Sequence, residues 1–276
     1  MAYYFENHKF PATLYKYRTF DSPDNHLRLL SHNELYFPSP SKFNDPFDSK
    51  IPISFEFSSF EEIFPQLSEE LRILEPSLSE LERIKRIRDL HSKGSFTNPE
   101  YLKMAIRETE ALPGRILGVY SLTASCGNIL LWSHYATSHS GFVVGFHRDK
   151  LQRACSMFHS QHQKLMLLLP VEYSSQFPVL NKYKHSNDER FRKQLLVKAS
   201  DWEYEAEYRI IMQDGPNVTV NYPNEVYSRV ILGCETLDDN RRDIIDILSR
   251  RGDHLPLYQA RRAEKSFSLV FTKLPY

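Results

Sequence analysis

The order of the secondary-structure signals constrains this chain most. Strand-length runs rich in aromatic and β-branched residues crowd both ends. A long helical stretch lies between them, and no β-α unit repeats. That order fits an α+β fold and not a doubly wound parallel sheet. Glycine usage agrees, with 9 in 276 residues and neither a G-x-G-x-x-G nor a Walker loop. The two commonest glycine-rich phosphate cradles are thereby excluded.

The signals place the elements as follows. Residues 14–20 are predicted as a strand with Leu14, Lys16 and Arg18 on one face and Tyr15, Tyr17 and Thr19 on the other. A short helix over 26–31, capped by Asp24 or Asn25, and a strand over 34–38 follow. Residues 39–48 form a turn-rich loop around Pro40 and Pro46. Residues 60–93 are helical, broken by Pro65 and Pro76 and ended by Gly94. Asn98 caps a further helix to about Leu112, with Pro99 at its first position. Strands are expected at 116–122, 141–146, 168–173, 207–213, 229–233, 255–260 and 267–272. Helices are expected at 128–136, 151–162, 188–199 capped by Asp188, and 238–251 capped by Asp238 or Asp239 and ended by Gly252. The expected organisation is one domain over 1–276, with residues 60–112 as a helical insertion.

Lys plus Arg and Asp plus Glu both number 35, so no global basic field exists for wrapping nucleic acid. Local basic pairs such as Arg241-Arg242, Arg250-Arg251 and Arg261-Arg262 read as solvated or as nucleic-acid contacts. Cys126, Cys155 and Cys234 are too few and too widely spaced for a disulfide framework or a zinc knuckle. The His134, His139, His159 and His162 spacing completes no ligand set, so no metal is expected. The first ten residues lack the pattern of a signal peptide, and the most apolar run, 165–171, is too short for a bilayer. A cytoplasmic protein without membrane contact is expected, its oligomeric state undetermined.

Four clusters carry chemistry. Lys16-Tyr17-Arg18 reads as a solvated edge face or as an anion site, where Arg18 makes bidentate bonds to phosphate or carboxylate. In the loop of Ser39, Asn44 and Asp45, turn chemistry competes with a binding role, and Phe43 and Phe47 are expected to anchor it in the core. Trp132-Ser133-His134-Tyr135-Ala136 sets Trp132 and Tyr135 on one helical face. Trp202 to Arg209 enters an apolar strand and is expected to carry Glu203, Glu205 and Glu207 on one extended face. Those carboxylates read as a face salt-bridged to Arg209, or as the mouth of a cleft where positive charge develops. No G-x-S-x-G is present.

These pieces, LYKYR at 14–18, SPSKFNDPFD at 39–48, WSHYA…H.GF at 132–142 and W.YE.EYR at 202–209, occur together and in this order in a bacterial family. The chain resembles family 2971 of the domains of unknown function over most of its length outside residues 60–112. The family name implies no activity. In layout, the opening strand, short helix and second strand are similar to the start of ADP-ribosyltransferases of the DNA-modifying toxin branch. AEYRII at 206–211 stands where that branch carries its catalytic glutamate, and the middle of the chain departs from the pattern. This second resemblance implies a mixed, mainly antiparallel sheet core and NAD as substrate.

The resemblance also implies roles. Glu207, or Glu205 two residues before it on the same expected face, stabilises an oxocarbenium-like ribose; with Glu207 in that role, Glu205 orients the acceptor. Arg18, with Lys16 and Tyr17, holds the pyrophosphate. Trp132 or Tyr135 stacks on nicotinamide or adenine, and Asn44 and Asp45 bond the ribose. Ser39, His134 and Arg209 complete the binding set. The acceptor is nucleic acid or protein, and a toxin-like effector in phage defence fits. Two rivals stand beside this reading. One is a non-catalytic nucleotide or nucleic-acid module that signals to a partner. The other is a magnesium-dependent nuclease using Glu203, Glu205, Glu207 and Asp45.

Overall fold

The structure is a computed structural model and describes residues 10–22 and 26–276. Asp24 and Asn25, the expected caps, lie outside the described residues. Contacts divide the chain into two compact units. Unit 1 comprises Met1–Pro38, Leu117–Val171 and Trp202–Tyr276, and unit 2 comprises Ser39–Ile116 and Glu172–Asp201.

Unit 1 is built on a sheet of eight strands among the described residues. They are β1 (Thr13–Arg18), β2 (Leu117–Thr123), β3 (Phe142–His147), β4 (Met166–Pro170), β5 (Glu207–Gln213), β6 (Tyr227–Leu232), β7 (Leu257–Arg262) and β8 (Leu269–Leu274). Their order across the sheet is β8-β7-β6-β3-β1-β2-β5-β4. Every neighbouring pair is antiparallel except β6 with β7. A parallel pair needs a crossover, and the helix Asp238–Arg251 supplies it. The α+β architecture with a mixed, mainly antiparallel sheet is as expected from the sequence.

The interior strands explain their own composition. Phe142, Val143, Val144 and Phe146 of β3 are all fully buried, because both faces of the sheet are covered there. On one face Leu14, Tyr120, Phe142, Val144 and Ile210 pack against Leu151 and Cys155 of the helix Arg148–His162 and Ile244 and Leu248 of Asp238–Arg251. On the other, Tyr15, Tyr17, Val143 and Ile231 pack against Leu131 and Trp132 of the helix Ile129–Tyr135. A two-stranded pair, Glu34–Phe37 with Val218–Asn221, completes unit 1.

Unit 2 gathers Ile51, Ile53, Phe55, Ile63, Leu67, Ile87, Phe96, Leu180 and Tyr183 into a separate core. Its helices are Phe60–Leu74, Glu80–Ser92, Pro99–Ile116 and Asn187–Leu196. Two short parallel pairs accompany them, Ile53–Ser54 with Leu180–Asn181 and Glu172–Ser174 with Val197–Ala199.

Several expectations need correction. Pro65 does not break its helix, because Ile63 and Leu67 on either side are buried and outweigh one missing hydrogen bond. The break falls at residues 75–79, where Ser79 and Glu82 form a reciprocal capping box. The helix begun at Pro99 runs on to Ile116 and contains Pro113. Ser186, not Asp188, caps its helix, and that helix ends at Leu196. Asp238 and Asp239 lie in the first turn, where they favour the helix through its dipole, and make no cap. The apolar stretch expected as one strand over 168–173 is two elements, β4 and Glu172–Ser174.

Candidate functional site

β1 lies between β3 and β2, so Lys16 and Arg18 stand in the middle of the sheet and not on a solvated edge. β1 pairs with β3 over six residues but meets β2 at one position, Tyr15 with Thr123. Beyond it the ladder stops, and Lys16 Nζ donates to the Ser121 carbonyl at 2.7 Å. A carbonyl in a ladder lies in the sheet plane, so the ammonium occupies the opening between β1 and β2. It sits 4.8 Å from the centre of the Tyr120 ring, and the Arg18 guanidinium 5.7 Å from it. Burial and the Arg18 charge push the Lys16 ammonium well below its ordinary pKa, while Glu207 and Glu205 pull the other way. Arg18 forms no ion pair with any described residue.

The carboxylates come from the turn that opens β5. Ser200–Glu205 is a 3₁₀ turn, and Ala206 has a positive φ of 43° before the strand begins. The chain is therefore bent where an extended face was expected. Glu203 is exposed while Glu205 and Glu207 are both buried. Long-range bonds cause the bend. Asn128 caps the helix Ile129–Tyr135 through the Leu130 N–H at 2.9 Å, and its Nδ2 donates to the Tyr204 carbonyl at 2.8 Å. Thr123 Oγ1 donates to the Glu205 carbonyl at 2.5 Å. The same helix aims the Tyr135 hydroxyl at Glu205 Oε1, 2.7 Å away. Glu207 is gripped by a two-pronged guanidinium, with Arg209 Nε to Oε1 at 2.8 Å and Nη2 to Oε2 at 3.0 Å. Arg209 is fully buried, and the salt-bridged reading of this segment describes that pair.

Strand alternation separates two predicted partners. Residues directly opposed in a ladder share a face. Glu207 opposes Thr123, which opposes Tyr15, so Glu207 lies on the face of Tyr15, Tyr17 and Tyr135. Arg18 opposes Phe142 and lies on the other face with Leu14 and Tyr120. Lys16 opposes Val144 and starts from the face of Leu14 and Tyr120, and its charge is the one that both carboxylates influence.

The remaining candidates divide. Trp132 is fully buried, donates Nε1–H to the Cys126 carbonyl at 2.8 Å, and packs against Tyr17 and His139. It has no surface on which a ligand ring can stack, and Tyr135 is the part-exposed ring at the carboxylates. His134 is exposed. Tyr17 is buried, its hydroxyl bound to the Ser125 carbonyl at 3.1 Å. Ser39, Asn44 and Asp45 belong to unit 2. There Ser39 Oγ donates to the Gly114 carbonyl at 2.6 Å, Asn44 is exposed, and Asp45 Oδ1 accepts from the Phe47 N–H at 2.8 Å in an Asx turn. Phe47 is 62% exposed and does not anchor that loop. Among the described residues no group of three His, Cys, Asp or Glu stands together as a metal site requires. The three-carboxylate face of the nuclease reading is not formed.

Thr137, Ser138 and His139 all have positive φ as the chain turns from the helix into β3. Gly233 lets that turn approach β6, because a Cβ there would stand 1.9 Å from the His139 carbonyl oxygen. Gly233→Ala is expected to destabilise the protein by about 1–3 kcal/mol, as overpacking against rigid backbone does. An unchanged urea midpoint would contradict this contact.

Sequence reasoning missed Thr123 and Ser121, whose bonds are made only in the tertiary fold.

These features define a class: an α+β protein whose mixed sheet opens at a central strand, with two buried carboxylates at the start of a neighbouring strand. The family described as "Protein of unknown function (DUF2971)" matches residues 131–210, the stretch that holds the WSHYA and W.YE.EYR motifs. The family resemblance read from those motifs is supported there. No curated protein and no solved structure matches the chain. No described helix is long and apolar enough to cross a membrane.

Proposed function

We propose that unit 1 is an ADP-ribosyltransferase-like domain that uses NAD as substrate. The supporting observation is the pair of buried carboxylates, Glu205 and Glu207, where the turn opens β5, the strand next to the edge strand β4, with a tyrosine hydroxyl on the first. Breaking the bond between ribose C1′ and the nicotinamide nitrogen releases neutral nicotinamide and leaves an oxocarbenium-like sugar. A fixed carboxylate at Glu207 stabilises that charge, and water or an acceptor nucleophile then attacks C1′. Glu205, oriented by Tyr135, holds the acceptor, and Lys16 draws the dinucleotide's negative charge to the opening. Nucleic acid or protein is the acceptor class, and a toxin-like role, as in phage defence, belongs to this reading.

A second reading rests on a specific observation. Both oxygens of Glu207 accept from Arg209. A carboxylate engaged in that way suits a non-catalytic nucleotide module, in which the pair is part of the framework.

The test is nicotinamide release from NAD by the purified protein, with and without nucleic acid and lysate. The expected result is release that falls at least about a hundredfold in Glu207→Gln, the scale of losing one preorganised electrostatic group. No release under any condition, with nucleotide binding retained, would move the conclusion to the module.

A further inference from the structure

The hairpin of β7 and β8 closes one side of the eight-stranded sheet, with β8 as its edge strand. Its charge is lopsided in a chain of zero net charge. Between residues 257 and 274, Arg261, Arg262, Lys265 and Lys273 stand against one acid, Glu264, and all five are exposed. Arg261, Lys265 and Lys273 form no ion pair with any described residue. Arg262 reaches Glu235 at 3.9 Å, but both side chains are largely exposed, so that contact leaves the guanidinium open to other anions.

Residues 263–268 join the two strands. The Ala263 N–H donates to the Ser268 carbonyl at 3.0 Å, the Ser268 N–H donates to the Ser266 carbonyl at 2.8 Å, and the hydroxyls of those two serines meet at 2.7 Å. These bonds fix the loop, and Phe267 projects from it 99% exposed. Burying a phenylalanine is worth about 1.5–3 kcal/mol, which no described neighbour supplies here. Behind the tip, Arg262 opposes Leu269, Ala260 opposes Phe271 and Tyr258 opposes Lys273. Opposed residues share a face, so the half-buried Phe271 ring lies between Arg262 and Lys273, cations about 13 Å apart along the ribbon.

Cations that flank a ring, with a second ring bare at the tip, match a phosphate backbone whose bases are unpaired. The cations track the phosphates, and an aromatic ring takes the face of a base. An acidic protein surface would satisfy the cations and leave Phe267 in water. A duplex would too, because its stacked bases offer no face to the ring. We infer that the β7–β8 hairpin is a docking arm for single-stranded nucleic acid, with Phe267 stacked on a base and Arg261, Arg262, Lys265 and Lys273 on the phosphates. This surface goes beyond the transferase reading and does not depend on it.

The probe is a labelled oligothymidylate of about a dozen nucleotides, titrated with the full chain by fluorescence anisotropy at several salt concentrations. Wild-type binding is expected to weaken with salt at a log–log slope of about −3, from about −0.7 for each phosphate contact. Phe267→Ala is expected to lose at least about fivefold in affinity, the scale of one stacked base, with the slope unchanged. Arg262→Gln and Lys273→Gln should each flatten the slope by about 0.7. All three side chains are exposed, so the urea midpoint of each variant should match the wild type and binding losses are not unfolding. No binding by the wild type, wild-type affinity in Phe267→Ala, or a duplex of the same length bound as tightly as the single strand would overturn the inference. So would self-association of the wild type that Phe267→Ala abolishes, which would make the tip an interface between copies of this chain.

Discussion

Arg209→Ala is expected to lower the stability of the protein by about 3–5 kcal/mol, the usual result of breaking a buried ion pair by removing one partner. Arg209 and Glu207 lie two residues apart on β5, pointing to the same face, and both are buried. Removing the guanidinium leaves the carboxylate in the interior without the two bonds that Arg209 donates to it. Desolvation, not the lost attraction, carries most of that cost. The double variant Glu207→Leu with Arg209→Met removes both partners of this ion pair and is expected to cost less than the sum of the two single losses. Urea unfolding of the wild type, the single variants and the double variant measures both effects. A cost under about 1 kcal/mol for Arg209→Ala alone would show that water reaches the pair. The double variant also separates the readings of the site, because a framework role survives it and a catalytic role does not.

Trp132→Ala is expected to be comparably severe, roughly 3–5 kcal/mol, through the cavity left by a fully enclosed ring. The side chain contacts Tyr17 edge-on with centres 5.2 Å apart and stacks on His139 at 6.2 Å. It also satisfies the Cys126 carbonyl. Trp132→Phe preserves most of the ring and forfeits only the N–H, so about 1–3 kcal/mol is expected. Equilibrium denaturation gives both numbers, and their difference isolates packing from hydrogen bonding. Near-equal losses would mean that the Nε1 bond dominates. Small losses in both would place the ring at the surface, against its zero exposure.

The sequence disclosed what local pattern controls. β3 reads as an apolar run because both sides of it are covered. Glu207 at the head of an apolar strand was legible for the same reason. The bend at residues 200–206 was not. The alternation from Trp202 to Tyr208 has strand period, and two bonds from residues some eighty positions away, Thr123 and Asn128, override it. The faces of Arg18 and Glu207 were likewise hidden, since their relation depends on the register of β1, β2 and β5 and not on either segment alone.

The division of unit 1 into three stretches of chain has a kinetic consequence. Its central pairings join distant segments: Tyr15 with Gly145, Thr123 with Glu207, and Gly145 with Arg229. Each such contact requires closing a long loop before it returns any stabilisation. Folding of the sheet should therefore be slow compared with helical proteins of this size, and its half-assembled forms should expose the unpaired borders of β1 and β5. Ribosomal synthesis delivers β1 early and β5 only after two excursions through unit 2. The chain must hold β1 in waiting until its neighbours emerge, a natural place for a chaperone to act.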